Sequence, residues 1–216
     1  MPNVKRHPGT QARSIKTHRA ILSAAERIFA KEGLSGARTD VIAAEAGVNK
    51  ALLYYYFKSK ESLFHAVVED HFREFNEQAL QILNRPGSPQ KILLEYVSMH
   101  FDFISNKHRH ASLYQQMMSG GKPLERLVHQ YFLPRSQALG KLLERGMREG
   151  EFRTVDRFHT AISIVAMIVF YFSAARVVHL LGHSDAYSRA NLRKRKEQVL
   201  DFIRRALFVN QKAGQL

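Results

Sequence analysis

The chain has 216 residues, 45% hydrophobic and 24% charged, a composition that sustains a packed core and excludes global disorder. Thirty-three Lys and Arg against nineteen Asp and Glu leave +14 at pH 7, an excess that favours a polyanionic partner. Cysteine is absent, which excludes a disulfide scaffold, a thiolate zinc site and a Cys nucleophile, and fits a reducing cytoplasm.

Residues 1–12 hold Pro2, Pro8, Gly9 and several basic residues but no apolar stretch, so they read as a flexible arm and not as a secretory signal. Ile21, Leu22, Ala25, Ile28 and Phe29 then recur at helical spacing, and Gly33 and Gly36 end that helix. Thr39 is placed to cap a second short helix that Gly47 stops, and Asn49 to cap a third that runs through Phe57. Positive φ at the turn is open to Gly47, Ala43 and Ala46 are small where the helices cross, and Ile42, Val48, Leu53 and Tyr56 supply a small core. Residues 1–60 carry eleven basic and four acidic residues, more than twice the net charge density of the rest.

After Ser59 a long helix carries an apolar stripe from Leu63 to Leu83, and residues 85–89 break it with Pro86, Gly87 and Pro89. An amphipathic helix with Leu93, Tyr96, Val97, His100, Phe101 and Ile104 follows, then a polar loop at 105–109 and a short helix around 112–118. The next helix spans about 123–149 with a kink expected at Pro134. Asp156 caps a strongly apolar helix expected to reach Leu181, and a last helix is expected over 184–209 with Val199, Phe202, Ile203, Ala206 and Leu207 on one face. The apolar run 161–175 is too short to span a membrane, for which about 18 residues are needed. The reading is all-α with about nine helices, divided into residues 1–58 and 59–216.

Two short helices meeting at a glycine, in a basic segment, form a helix-turn-helix whose second helix enters the major groove of double-stranded DNA. Residues 14–69 resemble the DNA-binding domain of the TetR family of bacterial transcriptional regulators. The resemblance rests on Thr39, Ile42, Ala43, Ala46, Gly47, Val48, the run 53–57 and the run 59–63. It implies that Thr39, Tyr54 and Lys60 contact phosphates, while Asp40, Lys50, Ala51, Leu52 and Tyr55 face base edges. Arg13, Lys16 and Arg19 are candidates for further backbone contacts. The chain departs from the family's frequent small residue followed by Thr, because it has Ala51 and Leu52 there. Leu52 forms no hydrogen bond to a base but suits a thymine methyl.

The resemblance also implies that the remaining helices bind a small-molecule effector and make a homodimer, and that the chain is a ligand-released cytoplasmic repressor. A palindromic site requires two-fold symmetry in its own right, and the last two long helices are the expected interface. Met99, His100, Phe103, Tyr114, Met117, Met118, His129, Phe132, Met167 and Tyr171 are candidate pocket residues, with core packing as the plainer reading of each. No cofactor is implied. The pairs His108, His110 and His179, His183 lack a metal-binding framework. No Gly-rich phosphate loop or nucleophile motif supports an enzyme. The alternatives are a nonspecific architectural DNA binder and, behind it, an all-α enzyme acting on the pocket ligand.

Overall fold

Apolar periodicity becomes helix throughout the residues that the computed structural model describes, 8–106, 122–182 and 185–209. Among them, residues 8–71 with 122–124 form one compact unit, and residues 72–106 with 125–182 and 185–209 form another. The division falls inside the fourth helix, at its fourth turn.

The first unit contains α1 (Pro8–Gly36), α2 (Thr39–Glu45), α3 (Lys50–Tyr56) and the start of α4 (Lys60–Leu83). Residues 8–12, expected to belong to a flexible arm, are already helical; proline is tolerated there because a first-turn N–H has no intrahelical partner. The helical path is interrupted at Gly33 (φ 69°, ψ 176°), and α1 finishes at Gly36. Ile21, Phe29, Ile42, Leu53, Leu63 and Phe64 are fully buried, and Phe29 meets Phe64 edge to face at 5.3 Å.

The second unit continues α4 and adds α5 (Pro89–Asn106), the part of α6 (Lys122–Leu127) from residue 125 on, a π turn (Val128–Phe132), α7 (Leu133–Arg148), α8 (Arg157–Ser173), α9 (Ala175–Leu180) and α10 (Arg189–Leu207). Its core is built from Leu93, Tyr96, Phe101, Leu139, Leu143, Ile164, Ile168 and Ile203. The irregularity expected at Pro134 takes the form of the π turn. Pro134 has no N–H to donate, and the Leu133 N–H instead reaches back five residues to the Val128 carbonyl. Gly146 and Gly150 close α7. The N–H of Glu151 bonds the Gly146 carbonyl at 2.9 Å and that of Gly150 bonds Met147 at 3.2 Å, with Gly150 at φ 71°. Glu151 then caps α5 from a distance, its Oε2 accepting from Ser88 Oγ (2.6 Å) and the Gln90 N–H (2.9 Å).

Two expectations fail here. The single helix over 156–181 is two, α8 and α9, separated at Ala174 (φ −99°, ψ 19°). The Ser173 hydroxyl donates to the Phe170 carbonyl at 3.1 Å, competing for the acceptor that the Ala174 N–H also uses. The last helix starts at Arg189 and not at 184, because Asp185 organises a turn through the Tyr187 N–H (2.9 Å) and Ser188 supplies the cap. Its apolar face is Val199, Ile203 and Leu207, whereas Phe202 is 61% exposed and Ala206 is exposed. Among the described residues no helix is long and apolar enough to cross a membrane. Among them no cluster of His, Asp or Glu is placed to hold a metal ion. His108, His110 and His183 lie outside the described residues.

Candidate functional site

The helix-turn-helix is held by backbone geometry that the sequence encodes at two residues. After α2, the N–H of Val48 bonds the Ala43 carbonyl (2.9 Å) and that of Gly47 bonds Ala44 (3.1 Å), a double closure that needs the φ of 68° at Gly47. Asn49 Oδ1 then accepts the Leu52 N–H at 2.7 Å and starts α3. Leu53 anchors α3 in the core at 0% exposure, which turns the opposite face outward. Lys50, Ala51 and Tyr54 are exposed, Tyr55 is 80% exposed, and Leu52 is half-buried.

Thr39 does not cap α2. It is the first helical residue, the cap position is Arg38, and the Thr39 hydroxyl lies 3.2 Å from the Tyr54 hydroxyl. The two expected phosphate donors are thereby brought together from two helices. Tyr56 turns its hydroxyl to Ser14 (2.9 Å) and its ring edge to His18, tying α3 to α1. Asp40 is engaged by Arg38, which donates to both carboxylate oxygens (2.7 and 3.3 Å). That hydrogen bonding lowers the Asp40 pKa and raises that of Arg38. Lys60 donates to the carbonyls of Ala37 (3.1 Å) and Ser35 (3.3 Å), so its ammonium fastens the α1–α2 turn. Arg13, Lys16 and Arg19 are exposed along α1.

The second unit holds a polar cluster inside an aromatic shell. Arg135 is 6% exposed, with its guanidinium 4.7 Å from the Phe75 ring centroid and 5.0 Å from that of Phe132. His100 is 4% exposed and stacks on Phe75 at 4.5 Å and Tyr96 at 5.7 Å. Tyr96 is 0% exposed. Arg135 Nη1, the Tyr96 hydroxyl and His100 Nδ1 are buried without a hydrogen-bond partner. Burial lowers the His100 pKa to about 3, with the Arg135 charge adding to the effect. Burial likewise raises the Tyr96 phenol, against the pull of Arg135. A buried unpaired ion costs several kcal/mol, and a cation over an aromatic face returns about 1–2 kcal/mol.

Two family descriptions match this chain: bacterial regulatory proteins of the tetR family over residues 21–67, and the tetracyclin repressor-like C-terminal domain over residues 89–203. The chain belongs to the TetR family of bacterial transcriptional regulators. It is 27% identical over 201 residues to the transcriptional repressor NicS of Pseudomonas putida, covering 87% of this chain and 89% of that one. It is 32% identical over 117 residues to the regulator RutR of Escherichia coli, about half of each chain. A regulator from Saccharomonospora viridis in complex with choline shares the fold at TM-score 0.73 and 19% identity, over 89% of this chain and 98% of that one. FadR of Bacillus subtilis in complex with stearoyl-CoA does so at TM-score 0.68 and 20% identity, over 86% and 96%.

Against this TetR-family frame the candidate pocket residues separate. Met99 and Phe103 line an open groove of about 490 Å³ between α4 and α5, whose acids Glu95 and Asp102 are already paired with Arg85 and Lys196. His100 and Phe132 belong to the buried cluster, and Phe103 also packs on Phe75 at 5.0 Å. His129 is exposed. The Met167 carbonyl accepts Arg195 at 2.8 Å, and the Tyr171 hydroxyl donates to the Ala186 carbonyl at 2.7 Å. Tyr114, Met117 and Met118 lie outside the described residues. Sequence reasoning passed over Arg38 and Arg135. Arg135 had a signal: it stands in the stripe Tyr131, Arg135, Ala138, Leu142, where an apolar residue is expected.

Proposed function

We propose that this TetR-family regulator is a dimeric repressor that leaves a two-fold-symmetric operator when a small molecule binds the second unit. The observation that carries DNA recognition is the outward face of α3, with Lys50, Ala51, Tyr54 and Tyr55 exposed over a buried Leu53. The Thr39 and Tyr54 hydroxyls, 3.2 Å apart, are suited to hold one phosphate between them, and Lys50 and Tyr55 to read bases beside it. Arg38 joins them as a phosphate contact, because its guanidinium is exposed even while bonded to Asp40. Ala51 and Leu52 supply apolar contact to thymine methyls.

Dimerisation is supported by an uncovered apolar stripe. Phe158, Ile162, Val169 and Phe170 follow one another along one face of α8 and are between 39% and 65% exposed, and Phe202 on α10 is 61% exposed. A second copy of the chain is the occupant that a symmetric operator demands. The NicS repressor and the complexes with choline and stearoyl-CoA support repression and effector binding as the mode of action.

Selection of bound duplexes from a random pool at near-physiological salt tests the reading. A two-fold-symmetric consensus is expected. Uniform enrichment that depends on salt alone would instead identify a nonspecific binder.

A further inference from the structure

The Arg135 guanidinium stands in the core of the second unit with no carboxylate beside it. All nineteen Asp and Glu of the chain lie among the described residues, and the ion pairs they form leave Arg135 without one. Its interactions are with ring faces of Phe75 and Phe132 and with the Tyr96 phenol. An arginine does not escape burial by losing its proton. A buried cation with no Asp or Glu beside it among the described residues points to an anion from outside the chain.

We propose that Arg135, Tyr96 and His100 form the receptor for an organic carboxylate with an apolar body, and that this acid is the effector of the repressor. The proposal rests on the regulatory reading above and names its ligand class. Arg135 Nη1 and His100 Nδ1 are buried without a hydrogen-bond partner among the described residues, and the Tyr96 phenol stands against the guanidinium. The guanidinium presents a planar fork that matches the two oxygens of a carboxylate, and the phenol donates to the same group. One cation suits one negative charge. The rings of Phe75 and Phe132 lie against the guanidinium and Phe103 packs on Phe75, so a group bound there meets apolar surface. The π turn at Val128–Phe132 sets the register that brings Arg135 onto the buried face, and such turns recur at functional sites.

The test is thermal unfolding of the full chain with acetate, octanoate and benzoate, matched against benzamide, inorganic phosphate and chloride at equal ionic strength. An apolar carboxylate at about ten times its Kd is expected to raise the midpoint by about 3 °C, with benzamide and phosphate inert. In Arg135→Met the ligand-free midpoint is expected to hold or rise, because a buried unpaired charge is gone, and the carboxylate shift to vanish. Should that variant not fold, Arg135→Lys and Tyr96→Phe carry the test, each with a reduced shift. Three outcomes overturn the proposal: no shift from any carboxylate, an equal shift from benzamide, or a shift that is undiminished in Arg135→Met or Arg135→Lys. These readouts need no operator, so a failed duplex selection beside an intact carboxylate shift overturns the DNA reading alone, and the converse overturns this one alone.

Discussion

Replacing His100 with leucine should make the protein resistant to mild acid. His100 is buried between Phe75, Tyr96 and the Arg135 cation, and its pKa falls to about 3 from the ordinary 6.5. Above pH 6.5 the ring is neutral in both folded and unfolded chains, and the group adds no pH dependence. Below 6.5 the unfolded chain takes up a proton that the folded chain refuses. Stability is therefore lost as pH falls, at about 1.4 kcal/mol per pH unit, until the folded-state pKa is approached. Between pH 7.5 and 5.0 the loss from this one side chain is about 2 kcal/mol, a large share of a usual net stability of roughly 5–15 kcal/mol. Urea unfolding of the wild type and of His100→Leu at both pH values isolates it, since every other histidine is common to the two proteins. The stability difference between the two pH values should be smaller in the variant by about 2 kcal/mol. Equal acid losses in the two proteins would show that His100 is protonated in the folded state, and the desolvated cluster would be wrong.

Gly146→Ala should destabilise by about 2 kcal/mol in the same assay, because a Cβ there would drive into the buried ring of Phe152; the helix-propensity gain of at most about 1 kcal/mol is outweighed. Asn49→Ala removes the cap on the Leu52 N–H and should cost about 1 kcal/mol of stability. Tyr54→Phe should weaken binding to all duplexes alike, whereas Lys50→Ala should relax preference at one operator position by about 1–3 kcal/mol in competition binding. An unchanged preference in Lys50→Ala would refute the assignment of α3 as the reading helix. Phe170→Glu should yield monomers in analytical ultracentrifugation and lose operator affinity, while retaining the carboxylate-induced thermal shift.

The helix-turn-helix was legible because its determinants are local. Gly47 and Asn49 act on hydrogen bonds within five residues of themselves, so their types and spacing reveal the motif directly. Thr39 was misread for a physical reason: a hydroxyl near a helix start suits the cap, but this one meets Tyr54 across the motif, fifteen residues away. Lys60 likewise bonds carbonyls 23 and 25 residues away, at the α1–α2 turn, a link that local spacing does not reveal. In the second unit, aromatic and methionine content flagged many pocket candidates and ranked none, since apolar core and apolar pocket have the same composition. What distinguishes Arg135 is the lack of a partner, and only the fold shows which acids are already spent. The α8–α9 break was invisible because no Gly or Pro marks it; a serine hydroxyl bonds within the last turn of α8 there.

An effector that binds Arg135 has the right size of energy for a switch, but the ion pair does not suffice by itself. Losing one partner of a buried ion pair costs about 3–5 kcal/mol, which sets the scale of what an arriving carboxylate restores. Carrying a two-state equilibrium from 1:99 to 99:1 takes about 5.5 kcal/mol of differential affinity. The shortfall of roughly 0.5–2.5 kcal/mol corresponds to about 20–100 Å² of apolar surface covered, at about 25 cal/mol per Å². A ligand with an apolar body would draw it from contact with the rings of Phe75, Phe103 and Phe132 around Arg135, which acetate is too small to do. The same argument orders the probes. Acetate should bind but switch incompletely, octanoate and benzoate should release DNA, and the neutral benzamide should do neither.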